Sequence, residues 1–124
     1  MADLLSLSAV EARAALDAGE VSAPELTWAY LAAIEETGAL NNYVAVAADK
    51  AMDMAEASQV RIKADEAGLI EGIPVGVKDL FCTDGIRTTC GSKMLEAFVS
   101  PYDATVVERL AAAGMVLLGK TNMD

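Results

Sequence analysis

Gly72-Ile73-Pro74-Val75-Gly76-Val77-Lys78-Asp79 is an apolar run interrupted by glycine and proline. It reads as a buried strand that neighbouring backbone approaches closely. Downstream, Met115-Val116-Leu117-Leu118 is a continuous apolar run, the pattern of a strand buried on both faces. Between the two, Asp103 is placed to cap a helix over 104–113 that Gly114 closes. Strand, helix, strand after a helical start makes α/β the fold class.

The upstream half reads as helices leading into that sheet. Ser8-Ala9-Val10-Glu11 and Ser22-Ala23-Pro24-Glu25 are both S-x-x-E capping boxes, in which serine caps a free backbone N–H and glutamate reaches back. Gly19 and Gly38 stand where C′ glycines would end the two helices. The second helix carries Leu26, Tyr30, Ala33 and Ile34 on one face, which should pack inward. Tyr43-Val44-Ala45-Val46-Ala47 reads as a short strand. A third helix is predicted over 49–67, ending at Gly68, with Met52, Ala55 and Ile62 on its inner stripe. No linker or low-complexity segment divides the chain, so 1–124 is one unit, helical over 1–68 and strand, loop and helix over 69–124.

Composition narrows the chemistry. The 124 residues are 54% hydrophobic but only 5% aromatic, so the core must be aliphatic. There is no histidine, which excludes Ser-His-Asp and Cys-His catalysis and histidine-bearing metal sites within these residues. The formal charge is −10, concentrated upstream: 12 acids and 4 bases in 1–68, against 7 and 5 in 69–124. Such a surface repels phosphate backbones and disfavours direct nucleic-acid binding. Cys82 and Cys90 are too few for a disulfide scaffold and lack CxxC spacing, so a reduced, cytoplasmic setting is the default. Met1-Ala2-Asp3-Leu4-Leu5 has no basic region and reads as neither a signal nor a transit peptide. No apolar run reaches the roughly 18 residues of a membrane span.

Three constellations bear on function. Gly114-Met115-Val116-Leu117-Leu118-Gly119-Lys120-Thr121 matches the P-loop pattern G-x-x-x-x-G-K-[ST] letter for letter. A true P-loop follows a strand and opens a helix; here a helix precedes the first glycine and the variable positions are themselves the strand, so the match is read as spurious. Cys82, Cys90 and the Thr88-Thr89-Cys90-Gly91-Ser92 cluster offer hydroxyls and thiols with no evident base, and read as loop residues or buried thiols. Lys78 is different, because it ends a buried apolar strand, where ligand sites of α/β sheets gather. Desolvation in such a setting disfavours an ammonium, and a neutral amine can act as a general base. The bland alternative is a lysine that snorkels to solvent or pairs with Asp79.

The 72–79 stretch resembles the lysine motif of the amidase signature family, serine hydrolases that use a Ser–cis-Ser–Lys triad. Cys82-Thr83-Asp84-Gly85-Ile86-Arg87-Thr88-Thr89-Cys90, Ser92-Lys93-Met94-Leu95, the run from Pro101 to Leu110, and Gly119-Lys120-Thr121-Asn122-Met123-Asp124 resemble, more narrowly, the tRNA-dependent amidotransferase branch of that family. Leu40-Asn41-Asn42-Tyr43-Val44 fits its opening segment, so the resemblance spans essentially the whole chain. Gly76 is a departure, since the family usually has alanine there. The resemblance implies the N-terminal part of a mixed β-sheet flanked by helices, and Lys78 as the catalytic base. It places the nucleophilic serine and cis-serine in a Gly/Ser-rich signature beyond Asp124.

What the resemblance implies about function is glutamine hydrolysis, with the ammonia used to convert Glu-tRNA(Gln) to Gln-tRNA(Gln). The implied partners are amidotransferase subunits B and C, with tRNA, ATP and Mg handled at the partner subunit, no cofactor or metal ligand in this chain, and a cytoplasmic setting. Two other readings stand beside it: an amidase-signature hydrolase of other small amides, and a non-catalytic module that binds a partner. On either enzymatic reading, the 124 residues alone supply a base without a nucleophile and should be inactive.

Overall fold

A computed structural model describes residues 3–123. Met1, Ala2 and Asp124, the outermost residues of the terminal stretches quoted from the sequence, lie outside the described residues. Among the described residues, four α-helices pack around a three-stranded mixed sheet. Helix α1 (Ala9–Ala18) starts on a complete capping box between Ser8 and Glu11 and ends at Gly19, whose φ of 74° suits glycine. In helix α2 (Ala23–Glu36) the Ser22 hydroxyl accepts from the Glu25 N–H at 3.2 Å. The Glu25 carboxylate accepts from that same hydroxyl rather than from the Ser22 backbone, so only half of the second box forms.

Three helix ends depart from the sequence reading, each for a local reason. Helix α2 closes at Thr37, whose hydroxyl donates to the Ala33 carbonyl at 2.8 Å. Gly38 instead opens a 3₁₀ turn, Gly38–Leu40, that ends at Asn41 with φ 52°. Helix α3 (Ala48–Lys63) stops short of Gly68 because Asp65 takes the left-handed conformation, with its N–H on the Ile62 carbonyl and the Glu66 N–H on the Arg61 carbonyl. Gly68 serves close approach: a Cβ there would lie 2.5 Å from the Ala113 carbonyl oxygen. Helix α4 (Thr105–Ala112) has Ala104 at its N-cap and no side-chain cap. Asp103 accepts from the Asp84 N–H at 2.7 Å, fastening two loops instead of capping the helix.

Strand β3 (Val116–Thr121) lies between β1 (Tyr43–Val46), to which it is antiparallel, and β2 (Pro74–Lys78), to which it is parallel. Its apolar run is buried on both faces, as the sequence suggests. Val116 and Leu118 join Leu16, Leu26, Leu31 and Ala55 on the face covered by α1, α2 and α3. Met115 and Leu117 join Val77, Ile86 and Val107 on the other face. Gly119 is required where β1 crosses closely, since a Cβ would collide with the Ala45 carbonyl oxygen. β2 departs from the interior-strand reading: among the described residues no strand pairs with its outer edge, and only Val77 of its five residues is buried.

A polar knot sits beneath the sheet. Glu71 is buried and accepts from Arg61 Nε at 2.8 Å, Arg61 Nη2 at 2.9 Å, the Ser58 hydroxyl at 2.6 Å and the Gly68 N–H at 3.2 Å. Burial opposes its charge, but these donors outweigh burial and hold the carboxyl below its usual pKa. The knot joins α3 to the turn that feeds β2.

Candidate active site at the end of the parallel strand pair

Lys78 is the last residue of β2, half-buried, and lies in register with Thr121 at the end of β3. Thr121 is also in register with Tyr43 of β1, so Tyr43, Thr121 and Lys78 form one row across the sheet. Strand alternation puts Gly76 and Lys78 on one face and Val77 on the other. The contacts agree. A Cβ on Gly76 would meet the Thr121 methyl at 2.9 Å and the Tyr43 hydroxyl at 2.6 Å, whereas Val77 packs into the opposite core.

The chain leaves β2 into a loop that is clamped to the sheet. The Asp79 N–H donates to the Thr121 carbonyl at 3.0 Å, and the Cys90 N–H to the Asp79 carbonyl at 3.2 Å. The Asp79 side chain is buried; its Oδ2 accepts from the Thr89 N–H at 3.0 Å and from the Thr89 hydroxyl. Its other oxygen lies 3.5 Å from Lys120 Nζ. Asp79, which the sequence offers as a partner for Lys78, therefore serves Thr89 and Lys120.

Lys120 is the residue that sequence reasoning missed. In sequence it is only a letter of the P-loop match, yet its side chain is fully buried. Its ammonium donates to the Phe81 carbonyl at 2.6 Å and to the Thr88 hydroxyl at 3.1 Å. Burial pulls its pKa down and the Asp79 carboxylate partly restores it, leaving the value below that of a free lysine. Position offers the only sequence signal: a lysine directly continuing an interior strand must either end the strand or be paired inside. Lys120 lies in register with Val77, so the two lysines of the parallel pair point to opposite faces. Gly114–Thr121 is then a helix-terminating glycine followed by a core strand, with its lysine committed to a loop carbonyl, a hydroxyl and a carboxylate.

The remaining candidates are loop residues. Cys82 is half-buried with its thiol 3.5 Å from the Tyr102 hydroxyl, and Cys90 is exposed at φ 52°. Thr88 and Thr89 are buried but serve Lys120 and Asp79. On the face opposite Val77 the site presents a lysine at a strand terminus, with Thr121 beside it in register and the Tyr43 hydroxyl over Gly76, on a backbone pinned from the other face. No helix among the described residues is long and apolar enough to cross a membrane.

Comparison with known proteins agrees with this fold. The chain is 52% identical, over its whole length, to the A subunit of glutamyl-tRNA(Gln) amidotransferase from Azorhizobium caulinodans, covering 25% of that protein. It is 55% identical over 92% of its length to the protein of the same name from Thioalkalivibrio sulfidiphilus, covering 24% of it. Its fold matches the crystal structure of a peptide amidase from Stenotrophomonas maltophilia with a TM-score of 0.89 and 31% identity, over 95% of this chain and 25% of that one. The chain thus spans about a quarter of the length of the curated relatives it matches. The Amidase family profile matches residues 25–124, a span that takes in all three strands and the loop clamped by Asp79 and Lys120. On that match, and on the strand-end lysine it contains, the chain belongs to the amidase family.

Proposed function

We propose that this chain is the lysine-bearing N-terminal part of the glutamine-hydrolysing component of a tRNA-dependent amidotransferase, and that Lys78 is its general base. The observation that carries the proposal is the placement of Lys78 at the C-terminal end of a parallel strand, on the face opposite the buried Lys120. High identity to two proteins named as amidotransferase A subunits supports this over a general amidase, to which the identity is lower. In the proposed mechanism Lys78 takes the proton of a bridging serine, which in turn takes that of a nucleophilic serine. Attack on the glutamine side-chain amide gives an acyl-enzyme and releases ammonia, and water then releases glutamate. Both serines are supplied from outside these 124 residues. The ammonia serves an amidation of Glu-tRNA(Gln) at a partner subunit, which also handles the tRNA, ATP and Mg, in a cytoplasmic complex with subunits B and C.

Glutamine hydrolysis by the full-length protein carrying this segment tests the proposal. Lys78→Ala should lower turnover by about 10²–10⁴-fold or more, the range of a lost general base, with the circular dichroism spectrum unchanged. Near-normal turnover in that variant removes Lys78 from the mechanism.

A further inference from the structure

Gly76 and Tyr43 form a matched pair on the face of the sheet that carries Lys78. The Tyr43 ring reaches from β1 across β3, and its hydroxyl occupies the space a Cβ on residue 76 would need, 2.6 Å from that position. Gly76 is two residues before Lys78 and on the same face, one strand repeat of roughly 7 Å away. The register agrees independently, with Tyr43, Thr121 and Lys78 in one row. Gly76 does not need a left-handed backbone, since its φ is not positive; what it supplies is room. A phenol brought over a strand in this way places a polar group where an apolar ring edge or a methyl would otherwise line the site.

We infer that Tyr43 is a positioning residue for the lysine chemistry, its hydroxyl forming part of the wall that orients the Lys78 side chain, and that Gly76 is the residue that admits it. This rests on the proposed role of Lys78. Burial raises the pKa of Tyr43 above that of a free phenol, so the hydroxyl keeps its proton and remains available as a donor.

The test is a double-mutant cycle in the full-length protein, reading glutamine turnover and thermal stability together. Tyr43→Phe keeps the ring and removes only the hydroxyl. It should lower kcat about tenfold, the scale of losing one polar group from the wall beside the lysine, with KM and Tm nearly unchanged. Gly76→Ala should lower both kcat and Tm, because the methyl and the phenol oxygen compete for one space. Combining them should recover only part of the lost Tm, since the colliding oxygen is gone but the Thr121 methyl still lies 2.9 Å from the new Cβ, while kcat stays at the Tyr43→Phe level. Wild-type kcat in Tyr43→Phe overturns the inference, as does a double variant that recovers kcat along with Tm, for then the pair is only packing. Lys78→Ala run in parallel separates the two ideas: if it retains turnover, the base assignment fails and the positioning role falls with it. If it is inactive while Tyr43→Phe is normal, only the positioning role fails.

Discussion

Asp79 and Lys120 face each other at 3.5 Å with both side chains fully buried. They join the residue that leaves β2 to the penultimate residue of β3, directly behind the strand end that carries Lys78. Charges this deep are costly unless every lone pair and proton finds a partner. Lys120 donates to the Phe81 carbonyl and the Thr88 hydroxyl, and Asp79 Oδ2 accepts from the Thr89 N–H and hydroxyl, whereas Asp79 Oδ1 accepts no hydrogen bond and has only the Lys120 ammonium opposite it. The pair therefore fixes the loop at both of its ends.

Removing one member leaves the other buried and uncompensated, a cost of about 3–5 kcal/mol. Lys120→Met and Asp79→Asn should each lower the denaturant midpoint of the full-length protein markedly. The double variant Asp79→Asn/Lys120→Met should be more stable than the sum of the single losses predicts. Additive losses would show that the two charges do not interact.

The Glu71 knot sets an acid limit on stability. Its folded carboxyl titrates below the reference value of 4.5, so the folded state binds the proton less tightly than the unfolded chain does. The stabilisation from Arg61, Ser58 and Gly68 is then present above the unfolded value and lost as pH falls through the folded one. Denaturation midpoints measured from pH 7 down to about pH 3 should fall more steeply in the wild type than in Glu71→Gln. Parallel curves would assign the acid sensitivity to other carboxylates.

Two glycines with positive φ allow backbone strain to be separated from crowding. Gly19 has φ 74° and open space around it, whereas Gly114 has φ 99° and a Cβ there would lie 2.5 Å from a Glu71 carboxylate oxygen. Gly19→Ala should cost only the left-handed penalty, about 1–2 kcal/mol. Gly114→Ala should cost clearly more, because it also displaces a carboxylate held by Arg61 and Ser58. Equal losses would mean that the knot yields without penalty.

The P-loop pattern at Gly114–Thr121 should bind no nucleotide, since Lys120 is enclosed and its donors are committed. Titration of ATP with Mg against the 124-residue chain should give no saturable isotherm. Saturable binding abolished by Lys120→Ala would contradict the burial of that ammonium.

The fold was most legible where pattern and burial coincide. The run ending at Leu118 is buried on both faces because its residues alternate between two separate cores, and such a run admits few other readings. The helix ends were harder to read, because Thr37, Asp65 and Ala104 act through local hydrogen bonds or backbone conformation that compete with nearby glycines and Asp103. Lys78 could be picked out because it terminates a recognisable strand. Lys120 could not, since a lysine in sequence looks the same whether it snorkels to water or lies paired beneath a loop. The Tyr43–Gly76 contact was equally hidden: it depends on the order β1-β3-β2, which no local pattern encodes.

The open edge of β2 makes the last prediction, which concerns the isolated 124-residue polypeptide. Among the described residues that edge has no strand partner, and on it Val75 is half-buried and Gly76 exposed. Trp28 is 65% exposed beside an apolar groove of about 410 Å³ formed with Leu31, Ile34, Tyr43 and Val46. Unpaired strand edges and contiguous apolar surface both favour association. The helices are less dependent on that edge, because the Ser8 box and the Ser22 hydroxyl satisfy their first turns locally. The polypeptide should therefore show a helical circular dichroism spectrum while sedimenting as a concentration-dependent mixture of oligomers, and it should release no ammonia from glutamine. A monomer at all concentrations with a sharp thermal transition would show that the three-stranded sheet is sufficient by itself, and glutamine-dependent ammonia release would show that a nucleophile lies within these residues.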